Sequence, residues 1–180
     1  MPEIQIRAAT IEDLPILTAL NQHYTSNYVW QMEFQQGREE GQISSGFRRV
    51  RLPRPVLVEY PRKPHFYPDT WNVDSSVIVS CIKSELIGYV QIVLNLVPLS
   101  AWITDLVVET SIRRKGIGSA LILASTDWAD QMDSRNLILE MQPKNDPAIQ
   151  MALKLGFEFC GYNTIYYSNY ETALFFRRSI

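Results

Sequence analysis

Two cysteines and two histidines among 180 residues leave little material for a metal centre or a disulfide framework. Cys81 and Cys160 sit in apolar, strand-like sequence without metal-ligand spacing and read as reduced structural thiols, while His23 and His65 read as structural or exposed side chains. No metal is expected. Charge of one sign is also lacking: 17 basic residues against 19 acidic ones give a net charge of -2, which offers no general attraction for polyanions. Nucleic acid is therefore not an expected partner. The longest apolar region, residues 86–99, is interrupted by Gln91 and Asn95, and the opening MPEIQIRAAT has no basic segment followed by an apolar stretch. The expectation is a cytoplasmic protein with no membrane partner.

With 46% hydrophobic and 20% charged residues, the chain suits a single domain over residues 1–180. Ile4, Ile6 and Ala8 alternate with polar residues as in an opening strand, and Thr10 with Asp13 makes a capping arrangement for a helix to about Asn21. Residues 23–34, rich in aromatics, are expected to continue as a second helix or a bent connection. Residues 35–46 read as a polar loop, residues 47–60 as an added β-hairpin, and the proline-rich 61–72 as an irregular surface segment. Together they form an insertion at about 31–72.

From Ser76 the pattern is clearer. Strands are expected at 77–82, 86–96 and 101–108, forming an antiparallel meander. Ile117, Leu121, Ala124, Trp128 and Met132 mark the buried stripe of a helix, and 137–141 is the next strand. Asn145, Asp146 and Pro147 start a short helix with Ala148, Met151, Ala152 and Leu155 on one face, and Gly156 stops it. Residues 157–162 and 172–178 close the chain as two more strands.

Between the meander and its helix lies RRKGIGSA, residues 113–120. Gly116 and Gly118 let backbone approach a bulky anion, while Arg113, Arg114 and Lys115 place positive charge beside the free N–H groups of the helix that Ile117, Ser119 and Ala120 begin. This is a turn suited to phosphates. It lacks the third glycine and the βαβ setting of a Rossmann loop, and the Gly-Lys-Ser/Thr ending of a P-loop.

The order of elements, the turn at 113–118 in the form (Arg/Gln)-x-x-Gly-x-(Gly/Ala), and the set Asn145, Ala148, Gly156 and Phe157 together resemble the GCN5-related N-acetyltransferase (GNAT) superfamily. The resemblance covers about 76–159 well, the first twenty residues loosely and 27–74 hardly at all. It implies an α/β (α+β) acyltransferase fold: a central mixed, mostly antiparallel sheet with flanking helices and a splayed middle strand. It also implies acetyl-CoA as co-substrate, its diphosphate on the glycine turn, its pantetheine arm along Leu106, Val107 and Val108, and Asn145 against the same arm. The implied activity is acetyl transfer to a primary amine of a small molecule or peptide. Where the family commonly carries a tyrosine four residues after Ala148, this chain has Ala152.

The chemistry constrains the remaining residues. An alkylamine with a pKa near 10.4 must lose a proton before it attacks, at a cost of roughly 4 to 5 kcal/mol at pH 7. A carboxylate is the natural acceptor; Asp105 and Glu109 flank the middle strand, and the resemblance, which implies an acid on that strand, makes Asp105 the first candidate base and Glu109 the second. A backbone N–H of Val107 or Val108 can meet the oxyanion. Tyr162 is the candidate acid in place of the missing tyrosine, with Tyr166 and Tyr167 as further candidates, although a thiol of pKa near 8.5 leaves tolerably unaided. Tyr24, Tyr28, Trp30 and Phe34 read as core in preference to an acceptor pocket, and the arginines of 48–54 as a solvated face. The alternative to an enzyme is a non-catalytic acyl-CoA-binding or regulatory module. The terminal strands and the added hairpin are candidate homodimer contacts.

Overall fold

The structure, a computed structural model, describes residues 3–36, 43–63, 65–66, 71, 73–94 and 96–180. Its main body is a seven-stranded sheet. In chain order the elements are β1 (Ile4–Ala8), α1 (Leu14–Ala19), β2 (Tyr24–Gln36), β3 (Ile43–Val58), β4 (Ser75–Ile82), β5 (Glu85–Leu94), β6 (Ser100–Val108), α2 (Ile117–Gln131), β7 (Asn136–Met141), α3 (Asp146–Lys154), β8 (Glu158–Asn163) and β9 (Ala173–Ser179). The large sheet runs β1-β4-β5-β6-β7-β9-β8, while β2 and β3 form a separate two-stranded ribbon. All neighbours in the large sheet are antiparallel except β6 and β7.

That one parallel pair opens the sheet. Ser100–Ile103 pair with Asn136–Leu139, and beyond them residues 104–108 of β6 have no partner on β7. On the other side β6 stays paired with β5 as far as Val108, with a bulge that sets Ile92 against Ile103 and Gln91 against Asp105. Thr104 is thus the extra residue. A bulge adds local bend and twist, which carries the end of β6 away from β7.

One apolar layer packs β4–β7 against α2 and α3, with Val90, Ile92, Ile103, Leu121, Ile122, Ile149 and Phe157 among its buried members. A second, smaller layer lies under α1, where Leu17 meets Val79, Cys81, Tyr89 and Val107. The α2 stripe is close to expectation: Ile117 and Leu121 are buried, Ile122, Ser125 and Ala129 complete the face, and Ala124 and Trp128 sit at its edge. On α3 the buried residues are Asp146, Ile149 and Ala152.

Residues 23–34 depart from the helical expectation. They form β2, paired along its length with β3, so residues 47–60 supply one arm of a hairpin and not a whole one. Aromatic and β-branched residues at that density fit a half-buried pleat, and the partner strand decides the matter. Residues 35–36 and 43–46, expected in a loop, extend the same two strands, while 37–42 lie outside the described residues. The ribbon is held onto the main body by named contacts. The Trp30 backbone N–H donates to the Pro143 carbonyl at 2.9 Å, and Asp146 accepts from Arg49 at 2.7 and 2.9 Å and from Trp30 Nε1 at 3.1 Å. Arg49 also lies 3.5 Å over the Tyr28 ring, so it is a docking residue and not part of a solvated face. Arg48 pairs with exposed Glu33.

The expected cap at Thr10 is present, and its second member has a further partner. The Thr10 N–H donates to Asp13 at 2.8 Å, and Arg7 on β1 donates to both oxygens of the same carboxylate at 2.7 and 2.9 Å. The Arg7 bonds hold the Asp13 carboxyl down at about 2, against burial, which acts the other way. A folded-state value below the unfolded one near 3.9 means that the stabilisation is fully present above about pH 4 and is lost as pH falls toward 2. Asp13→Asn is expected to lower the melting temperature above pH 4 and to flatten its fall between pH 4 and 2. Thermal melts of both proteins across that window check this.

Candidate active site

The splay between β6 and β7 opens into a cleft of about 380 Å3. Leu106, Val107 and Val108 form one wall, the turn Arg113, Arg114, Gly116, Ile117, Gly118 and Ser119 its floor, and Asn145, Ala148 and Met151 of α3 the facing wall. Tyr24 and Tyr60 line its inner end. The residues grouped by sequence as a phosphate turn, a strand and a helix cap therefore meet in one place.

The turn has the backbone that its glycines imply. Gly116 has φ of +86° and caps α2 from the left-handed region, and a Cβ there would meet nothing within 4 Å. At Gly118 a Cβ would come 3.2 Å from the Met151 sulfur, so this glycine serves close packing of α2 on α3. The Ala120 N–H donates to the Gly116 carbonyl, which leaves the N–H groups of Ile117, Gly118 and Ser119 without partners inside the helix. An anion at this end gains those donors and the dipole together.

Arg113 does something other than expected. Its guanidinium donates to three backbone carbonyls: Val108 at 2.8 Å, His23 at 2.7 Å and Asn21 at 2.9 Å. It ties the end of β6 to the connection between α1 and β2, and burial lowers its pKa. The exposed cations of the turn are Arg114 and Lys115.

Strand geometry settles which amides face the gap. The Glu109 N–H donates to the Ile87 carbonyl, and antiparallel pairing alternates, so Val107 and Asp105 bond toward β5 while Leu106 and Val108 present their backbone groups to the splay. Of the two oxyanion donors expected, Val108 is on the correct side and Val107 is not. The gap-facing carbonyls of Thr104 and Val108 accept from Arg62 and Arg113. Leu106 between them is left open to an incoming extended chain.

Behind the cleft is a smaller cavity of about 50 Å3, lined by Tyr60, Arg62, Thr104, Asp105, Glu140 and Tyr167 among others. Asp105 is buried, and the Tyr60 phenol donates to its Oδ1 at 2.7 Å. Burial, then the Asp105 charge and this bond, push the Tyr60 phenol well above its usual value. Glu140 is paired with Arg62 and accepts from the Tyr166 hydroxyl at 2.6 Å. Burial raises the Glu140 carboxyl, with Arg62 and Tyr166 opposing. Among the described residues Asp105 makes no ion pair, and Arg62, paired with Glu140, is the cation that acts on it from the same cavity.

The other candidates lie elsewhere. Glu109 sits one residue past β6 beside Arg113 and lines neither cavity. Tyr162 packs edge-on against Phe47, with ring centroids 5.3 Å apart, and also lines neither. Tyr166 is bound to Glu140, which with burial as the larger cause pushes its phenol up to about 12, and Tyr167 is buried at the inner cavity. Ala152 is fully buried in the core. Asn145 caps α3 by accepting from the Ala148 N–H at 3.3 Å, as expected, and it lines both cavities. Tyr24, read as core, instead lines the cleft and donates to Gln142 at 2.8 Å. Backbone of Phe34 lies in β2, and its side chain is outside the described residues. Tyr60 and Arg62 were missed: the signal available was a tyrosine and an arginine on either side of Pro61, and nothing local says which strand they reach.

A sheet split at its one parallel pair, with a basic glycine turn below the split and an unpaired strand edge above it, defines the GNAT fold. The chain belongs to the Acetyltransferase (GNAT) family, whose model matches residues 46–157. It is 36% identical over 73 residues to streptothricin acetyltransferase A of Bacillus subtilis (strain 168), covering 41% of this chain and 42% of that one. It is 37% identical over 76 residues to streptothricin acetyltransferase of Streptomyces lavendulae, covering 39% and 40%. The chain thus matches under half the length of these two relatives. A solved nourseothricin acetyltransferase superposes over 98% of both chains with a TM-score of 0.81 at 24% identity. A protein of Bacillus anthracis str. Ames, assigned as a streptothricin acetyltransferase and solved with acetyl coenzyme A, superposes over 99% of both with a TM-score of 0.81 at 20% identity. At that identity the likeness is one of fold. No helix among the described residues is long and apolar enough to cross a membrane, and no group of three or more metal-binding side chains occurs among them.

Proposed function

We propose that the protein transfers an acetyl group from acetyl-CoA to a primary amine of a small cationic molecule, of the kind that the streptothricin acetyltransferases are named for. The observation that carries this reading is the placement of Asp105: a buried carboxylate with no ion pair among the described residues, in the small cavity that shares Tyr60, Leu106 and Asn145 with the cleft holding the phosphate turn. The residues present fit acetyl-CoA. Ile117, Gly118 and Ser119 offer amides to the diphosphate, open space at Gly116 leaves room for it, and Leu106 offers an unpaired edge to the pantetheine arm.

When bound, acetyl-CoA supplies a thioester whose C–S bond breaks as the new C–N bond forms. Asp105 takes the proton that the attacking nitrogen gives up as the C–N bond forms and the nitrogen becomes acidic. The Val108 and Leu106 N–H groups, on the gap side of β6, are the donors available to the carbonyl oxygen. The thiolate takes its proton from water in the open cleft, since Ala152 supplies none. Glu140 and Glu171 are already paired with Arg62 and Lys144, so Asp105 is the carboxylate of the inner cavity without an ion pair among the described residues.

Purified protein with acetyl-CoA and a panel of streptothricin-type molecules, simple diamines and peptides tests the reading through release of free thiol. Turnover that needs both substrates and favours the cationic small molecules is expected. Tight acetyl-CoA binding with no thiol released from any amine would instead identify a binding module.

A further inference from the structure

Asp105 is surrounded by groups from four parts of the chain. Tyr60 and Arg62 come from the segment after β3, Tyr89 from β5, Glu140 from β7 and Tyr167 from the connection between β8 and β9. Most of these are committed elsewhere. Arg62 serves Glu140 and the Thr104 carbonyl, and the second Glu140 oxygen accepts from Tyr166, while Tyr89 accepts from Gln22 at 2.9 Å and keeps its own O–H proton. The bond recorded at the Asp105 carboxylate is the one from Tyr60, on Oδ1.

We propose that Tyr60 is the positioning residue of Asp105, holding one carboxylate oxygen so that the other is turned to the incoming amine. Tyr60 lines both the cleft and the inner cavity, so it stands where the two meet, and Asp105 lines only the inner one. A phenol in that position has two functions open to it. Giving its proton to the departing thiolate would leave a phenolate against a carboxylate in a buried site, and the burial and charge that raise the Tyr60 phenol oppose this. Orienting the carboxylate needs no such step.

The inference rests on Asp105 acting as the base, and the experiment separates the two. Tyr60→Phe is expected to lower kcat about tenfold across the neutral pH range and to leave KM for acetyl-CoA within about twofold. In an Asp105→Asn background the same change is expected to cost nothing more. If Asp105→Asn is itself as active as the parent, the assignment of the base falls and this inference with it. If Asp105→Asn is impaired but the Tyr60→Phe profile superimposes on the parent, this inference alone is overturned. Should Tyr60→Phe fail to fold, fluorotyrosine at position 60 keeps the ring and strengthens the donor; kcat is then expected to change with KM for acetyl-CoA held, and an unchanged kcat overturns the proposal.

Discussion

Asp105→Asn is expected to reduce kcat at pH 7 by about 100- to 1000-fold, the range for loss of a general base. The asparagine keeps a side-chain oxygen that can accept from Tyr60, so the inner cavity retains its shape, and KM for acetyl-CoA is expected to change by no more than about threefold. The pH profile carries the mechanism. Without an internal base the amine must deprotonate in solution, so the variant is expected to gain about tenfold per pH unit until the pH approaches the amine pKa near 10. The parent protein gains far less over the same range. A variant within threefold of the parent at pH 7 would remove Asp105 from the chemistry.

Gly116→Val is expected to raise KM for acetyl-CoA by about 10- to 100-fold, with the fold retained. The cost does not come from crowding, because a Cβ at this position has no neighbour within 4 Å. It comes from the left-handed φ of +86°, which strains a non-glycine residue by roughly 1–2 kcal/mol and a β-branched one at the upper end of that range. The turn relieves the strain by rotating the peptide planes that precede Ile117, and the amides of Ile117 and Gly118 lose their aim. Each charge-assisted bond lost is worth about 1.5–3 kcal/mol, or roughly 10- to 100-fold. Lys115→Ala removes an exposed charge that solvent already screens, so it is expected to cost about fivefold or less. Isothermal titration of acetyl-CoA with both variants ranks them. A larger loss for Lys115→Ala would mean that side-chain charge, and not the amide cradle, sets the affinity.

Both substitutions lie in sequence that could be read without coordinates, because the signals there are local. A glycine that must be left-handed, a helix that needs free amides and an asparagine followed by Asp-Pro each depend on a few adjacent residues. The meander from Ser76, the helix at α2 and the cap at Asn145 were legible for that reason. The aromatic stretch 23–34 was not, since its density of tyrosine and tryptophan suits several conformations and only pairing with β3 selects a strand. Arg113 shows a different limit. Its place in the motif suggested a phosphate contact, yet its guanidinium is taken up by the carbonyls of Asn21, His23 and Val108, two of them 90 or more residues away.

The amino-acid sequence by itself determined the family, the glycine turn, the order of strands and helices from Ser76 onward, and a carboxylate on the middle strand. Tertiary structure alone decided that Tyr60 would reach that carboxylate across 45 residues of chain, that Arg62 would neutralise Glu140, and that the β2–β3 ribbon would dock on α3 through Asp146. Periodicity and turn chemistry act over one or two turns of backbone and leave a mark in composition. A hydrogen bond between distant segments depends on how the sheet splays and where the ribbon lands, and no pattern within either segment records it.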